Sequence, residues 1–317
     1  MAVTNFVNKS GLTYDGKEAQ EIFIKNLYTS DVHNLGVRML PGVKGKQKLN
    51  SGEVGDMFQA YQCPFTPAGN VKISESFIEP IKIKVNLEEC FDEFKDTWMV
   101  EQTEASLNGG IPQAFYDWFF NNALVPELNK EYEEIWFNGD TEYSGETKTY
   151  LALGDGIVKT LDEAEGTVKE TGSVLTVANI LGEIGKVAAK VDDLENDVED
   201  YRIYINYKDY RKVLTALGQA SADGVKTIDV WSNFTKDGDG IMAYGMKLMP
   251  CRIAQNVMIA SHPQNLVLGY DIADSEVSYK IVDMRETTLD DTFRVGVLTN
   301  IAAGVVFPET TVLYKQA

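Results

Sequence analysis

The sequence is poor in the residues that catalysis, metal binding and membrane insertion require. It contains two histidines, His33 and His262, and three cysteines, Cys63, Cys90 and Cys251. The cysteines are far apart and form no CxxC pair, so their spacing suggests neither a disulfide framework nor a zinc site and fits reduced, intracellular thiols. His262 stands in Ser261-His262-Pro263, a predicted turn after a strand, and His33 in a polar connection; neither lies in a Ser-His-Asp or Cys-His motif. A triad assembled only by folding stays open. No segment reaches the roughly 18 apolar residues of a membrane span, and MAVTNFVNKSGLTYDG has no signal-type apolar core. The expectation is synthesis and use in the cytosol.

Positive charge is also scarce. Twenty-nine Lys and Arg face 48 Asp and Glu, a formal charge of −19. Sequence-specific nucleic-acid binding needs clustered cations on phosphates and is excluded as a main activity. Asn108-Gly109-Gly110 and Gly154-Asp155-Gly156 lack both the GxGxxG and the GxxxxGK[ST] spacing, so they read as turns and not as phosphate cradles.

What the chain does have is a long aromatic helix. Phe115, Trp118, Phe119, Leu124, Leu128, Tyr132 and Ile135 recur at three- and four-residue spacings, predicting roughly seven helical turns after Pro112. Pro126 is expected to kink it, and Asn138-Gly139 to end it in the left-handed conformation. Trp118 and Trp136 lie on this helix, where core packing is the ordinary role of such rings; Trp98 and Trp231 lie elsewhere.

Upstream, Gly16–Tyr28 is a short amphipathic helix candidate with Ala19, Ile22, Phe23 and Leu27 on one face, which needs a partner in this chain or another. Leu35–Met39, Val71–Ile73 and Ile81–Leu87 alternate as strands, and the many glycines and prolines between them suit a long exposed hairpin. Lys44, Lys46 and Lys48 alternate there, predicted on one side of a strand: either a solubilising edge or a contact for an acidic neighbour. Leu87–Val100 has a mixed helical pattern through Cys90, Phe91, Phe94 and Trp98. Then follow a helix over 177–191, a strand over 201–207, a helix over 210–217, strands over 242–249 and 257–260, and terminal strands over 277–282, 292–301 and 305–314. The class is α+β or α/β, without the repeated βα units of a barrel or dinucleotide fold.

Two acidic stretches are metal candidates. Asp192–Asp200 holds six carboxylates in nine residues but lacks the calcium-loop spacing and its glycine, and Lys236–Gly240 reads as Asp-Gly turn chemistry. No metal or cofactor is expected at either, and no catalytic residue is assigned.

The helix followed by Ile135-Trp136-Phe137-Asn138-Gly139-Asp140 and then Leu153-Gly154-Asp155-Gly156-Ile157 resembles the spine-helix region of tailed-bacteriophage major capsid proteins with the Hong Kong 97-like fold. The resemblance implies an α+β fold with an N-terminal arm (1–34), an extended hairpin loop (35–86), a peripheral domain with the spine helix (87–150 and 283–317) and an axial domain (151–282). It implies a non-enzymatic protein that self-assembles into pentamers and hexamers of an icosahedral shell in the host cytoplasm and encloses double-stranded DNA without reading its sequence. The acidic charge is compatible with that. A separate scaffolding protein, a portal and decoration proteins are the further expected partners. Candidate assembly contacts are Lys44, Lys46 and Lys48 in the hairpin and Ile22 and Phe23 in the arm. The alternatives are another phage structural protein such as a tail subunit, or an intracellular enzyme or binding protein with a carboxylate site.

Overall fold

Alternation along Ile81–Cys90 becomes a ten-residue strand whose inward residues Val85 and Leu87 pack on the core while Lys82, Lys84, Asn86 and Glu88 face out. A computed structural model describes residues 13–15, 34–55, 58–61, 63, 69–90, 93, 98–100, 115–194, 200–222, 234–237, 240–271, 279–284 and 288–317. In chain order the elements are β1 (Thr13–Asp15), β2 (Arg38–Pro41), β3 (Gln47–Gly55), β4 (Asn70–Ile78) and β5 (Ile81–Cys90), then α1 (Phe115–Phe119) and α2 (Val125–Asn138). Next come α3 (Ile157–Glu163), β6 (Val168–Gly172), α4 (Ile180–Asp192), β7 (Arg202–Asn206) and α5 (Tyr207–Ala222). The chain closes with β8 (Phe234–Asp237), β9 (Gly240–Ala243), β10 (Met246–Cys251), β11 (Met258–Ser261), β12 (Leu266–Asp271), β13 (Tyr279–Asp283), β14 (Thr292–Val305) and β15 (Val312–Gln316).

Three sheets result. One runs β1-β13-β14-β12-β2, with β5 on the other edge of β14; a second runs β6-β15-β11-β7-β10-β9-β8; β3 and β4 form a separate ribbon. Thus β2 and the first part of β5, within the span 35–86, belong to the first sheet, and the separate ribbon is 47–78. Within 151–282, β12 and β13 also join the first sheet, whereas β15 from the C-terminus joins the second.

The helical pattern expected over 87–100 is overridden at its start. Leu87–Cys90 is strand, because pairing with β14 continues unbroken from Ile81↔Ile301 to Cys90↔Thr292. The strand expected over 242–249 is a tight hairpin: Tyr244 (φ 51°) and Gly245 (φ 79°) are both left-handed, the geometry of a two-residue turn. Tyr is a poor signal for that turn, and its ring is held edge-on to Phe234 at 5.5 Å. The terminal strands break at Phe307-Pro308 instead of near 301, since β14 runs on to Val305 to complete its ladder with β12. The helix predicted over 16–28, with Ile22 and Phe23, falls outside the described residues; Thr13–Asp15 of the expected arm adds a strand to the edge of β13.

The largest core holds α1, α2 and the inner faces of β12, β13 and β14, and extends through Tyr204, Cys251, Ile253 and Ile259 onto the second sheet. A second core lies between that sheet and α4 and α5. A third, small cluster of Val43, Leu49, Ile78, Val267, Ala302 and Val306 roots the ribbon on the first sheet.

Candidate functional site

The catalytic and metal readings can be judged by where their residues fall. His262 caps the short turn Pro263–Asn265, its Nδ1 accepting from the Gln264 amide at 3.3 Å. Cys251 is fully buried, and burial pushes its thiol well above the ordinary range. No group of three or more His, Cys, Asp or Glu fit to hold a metal occurs among the described residues. In the acidic stretch, Asp193 pairs with Lys190 at 3.9 Å and Asp200 with Arg202 at 3.0 Å, while residues 195–199, His33, Trp231 and 238–239 lie outside the described residues. Trp118 and Trp136 are core, and Trp98 meets Phe115 edge-on at 5.8 Å.

Five carboxylates are buried among the described residues, Glu133, Glu134, Glu183, Asp209 and Asp283; all escaped the sequence reading, and the first four are held by structural partners. Glu133 accepts from the Arg252 amide at 2.9 Å and pairs with its guanidinium at 3.2 Å. Glu134 accepts from Lys148 at 2.7 Å and Tyr150 at 2.5 Å; burial raises its pKa, but these bonds outweigh it and leave the group below its ordinary value. Glu183 behaves likewise: burial is outweighed by Lys186 at 3.0 Å, the Tyr314 hydroxyl at 3.0 Å and Ser173 at 3.2 Å. Asp209, with no exposed surface, binds Lys212 at 2.6 Å and the Asn256 amide at 2.9 Å. Glu183 is saturated, with four bonds on its two oxygens, and Glu133, Glu134 and Asp209 each hold a cation and at least one further donor.

The segment on which the sequence resemblance rests forms a close crossing. The Gly139 amide donates to the Ile135 carbonyl at 2.9 Å, the Gly156 amide to the Gly139 carbonyl at 2.8 Å, and the Asp140 amide to the Leu151 carbonyl at 2.9 Å. A Cβ on Gly139 would stand 2.2 Å from the Gly154 oxygen, so contact demands glycine here. Its φ of −55° and ψ of 140° are not the left-handed stop expected. Beyond the crossing, Asn138 spans to the next layer, donating to the Arg252 carbonyl and accepting from the Ala254 amide, each at 2.6 Å. The end of the spine is thereby fastened to the loop after β10.

Among the described residues the most exposed large apolar side chains are at the end of the ribbon and before β14. Lys44 and Lys46 precede β3, and only Lys48 is on the strand. Lys46 pairs with Glu79 at 3.6 Å and lies 5.0 Å over the Phe77 ring; Lys48 pairs with Glu75. Two of the three lysines therefore bind the ribbon's own second strand and its root. At the distal end Phe58 and Tyr61 are 99% and 94% exposed, and Leu289, before β14, is 88% exposed. Hydrated aromatics at the end of a projecting ribbon suit contact with another molecule better than they suit an isolated subunit.

No protein-family model matches the sequence. No curated protein matches it either. Solved structures do match. A chain of the satellite phage P4 procapsid, in a structure that includes the size determination (Sid) protein, superposes with a TM-score of 0.63 at 14% identity, covering 94% of this chain and 90% of that one. The capsid of Myoviridae phage XM1 matches with a TM-score of 0.54 at 12% identity over 90% of this chain and 91% of the other. A structure from Gordonia phage Cozz matches with a TM-score of 0.54 at 11% identity over 91% and 86%. The fold is thus the α+β Hong Kong 97-like fold of phage capsid proteins, as the spine segment led one to expect.

Proposed function

We propose that this chain is the major capsid protein of a tailed phage, assembling as pentamers and hexamers into an icosahedral shell around double-stranded DNA. The observation that carries the reading is the likeness in fold to the P4 procapsid chain over 94% of this sequence. Exposure of the ribbon end supports it from the side of chemistry. In this reading residues 1–34 act as an arm, 35–86 as the extended loop, 87–150 with 283–317 as the peripheral domain and 151–282 as the axial domain. Assembly takes place in the host cytoplasm and the product is the virion shell. A scaffolding protein, a portal and decoration proteins are its partners, and the net charge of −19 keeps packaged DNA from adhering to the wall.

Electron microscopy of the purified, overexpressed protein tests this. Shells or capsomer rings are expected. Tubes of uniform diameter would point to a tail subunit, and folded, monodisperse 35.3 kDa monomers across concentration and salt would overturn self-assembly.

A further inference from the structure

Leu289 combines two costs that the subunit alone does not recover. Its side chain is 88% exposed, and its backbone is left-handed at φ 65°, a region an apolar residue with no hydrogen-bonding side chain gains nothing by adopting. The turn is fixed behind it, with the Thr288 amide bonded to the Met284 carbonyl at 2.9 Å. Asp290 and Asp291 follow, both exposed, with the Arg294 guanidinium within electrostatic reach of Asp290 but itself paired with Glu88 at 2.9 Å. The described part of the tip is thus an exposed leucine beside two carboxylates, which suits a cationic seat better than nucleic acid.

Such a seat exists on this same chain. Lys82 and Lys84 stand side by side on the exposed face of β5, with no ion pair to a carboxylate among the described residues. They pair across to Asn300 and Leu298, whereas the Leu289 tip leads into Thr292 at the other end of β14. Six to eight residues of strand separate the two patches, about 20–27 Å, so one copy cannot close tip onto seat. Between copies it can, either reciprocally in a two-fold pair or head to tail around a closed ring.

We propose that the Leu289–Asp290–Asp291 tip of one copy docks on the Lys82–Lys84 face of β5 of a second copy. The proposal rests on the shell reading above. It is tested by subunit melting and by sedimentation against concentration for Leu289→Asn, Asp290→Lys, the pair Lys82→Glu and Lys84→Glu, and the three charge changes combined. Asn accepts the left-handed region, so Leu289→Asn is expected to raise the subunit Tm by about 2 °C while raising the assembly threshold about tenfold. Asp290→Lys and the lysine pair are each expected to raise the threshold, and their combination to bring it back towards the parent. Leu289→Asn assembling at the parental threshold, or a combined variant no better than its components, overturns the proposal and leaves the shell reading standing. A parent protein that stays monomeric at every concentration overturns both.

Discussion

Gly139 and Gly154 are both crowded, but by different matter. A methyl on Gly139 meets the carbonyls of Gly154 at 2.2 Å and Ile135 at 2.7 Å, whereas one on Gly154 meets the end of the Ile81 side chain at 1.7 Å. Side chains rotate away and backbone carbonyls do not. Gly139→Ala should therefore cost about 2 kcal/mol or more, and Gly154→Ala distinctly less, in chemical denaturation; equal losses would show that the crossing yields as a unit. The sequence marked Asn138-Gly139 as a helix end but for the wrong reason, since close approach of two distant segments leaves no local signature. The buried carboxylates were illegible on the same grounds: Glu133 finds Arg252 119 residues away. Their pH consequence has a definite sign. Glu134 and Glu183 are held below the ordinary glutamate value of 4.5, so the folded state binds fewer protons than the unfolded one. Their contribution is complete above that value and is lost as pH falls through their folded pKa. Glu183→Gln should flatten the decline of Tm on acidification from about pH 7 to 3. An unchanged decline would assign the acid sensitivity elsewhere.

Elements were legible where local periodicity and tertiary packing agree. Helices α4 and α5 and strands β7 and β11 lie within a few residues of their predicted positions. The spine was legible as one helix, and its stripe from Phe115 to Ile135 is buried throughout. Pro126 stands at the second position of α2, directly after a wider π turn over Phe120–Leu124, where its missing amide costs least. Burial on all sides of residues 132–137 was not legible, because a single stripe cannot report what covers the opposite face. Trp118→Ala and Phe119→Ala should each cost about 3–5 kcal/mol of subunit stability, Phe119 through its edge-on contact with Phe293 at 4.9 Å. A soluble variant of undiminished stability would mean that this ring faces a cavity. In the ribbon, reversal of Lys46 and Lys48 to Glu sets like charges against Glu79 and Glu75. Exposed pairs contribute at most about 1 kcal/mol each, so the expected effect is a ribbon cut faster by protease within an intact body. Adding Glu75→Lys and Glu79→Lys should restore resistance. If assembly stays lost after that repair, these lysines also serve a neighbour.

The whole molecule was legible through one short segment. The spine and its glycine crossing identified the architecture, whereas the sheets join strands far apart in sequence, β2 beside β12 and β15 beside β6, in registers that no alternation pattern specifies. That sorting of strands also fixes how the ribbon is tethered. Through β4 it passes into β5, whose ladder with β14 spans ten positions; through β3 it passes into β2, which holds β12 over four. Tension applied at the far end is therefore shared between two unequal anchors, and the four-rung side should slip first, transferring the strain to the long ladder before the body gives way. Optical-tweezer pulling between Cys63 and the C-terminus should show this as a small early extension preceding the main rupture. A disulfide between Leu40→Cys and Gly269→Cys, paired positions on β2 and β12, should abolish the early step. Persistence of that step would place the first yield in β5 and β14 instead. A wall built from such subunits would stretch a little at every ribbon before any joint failed, a compliance that spreads internal pressure over many neighbours.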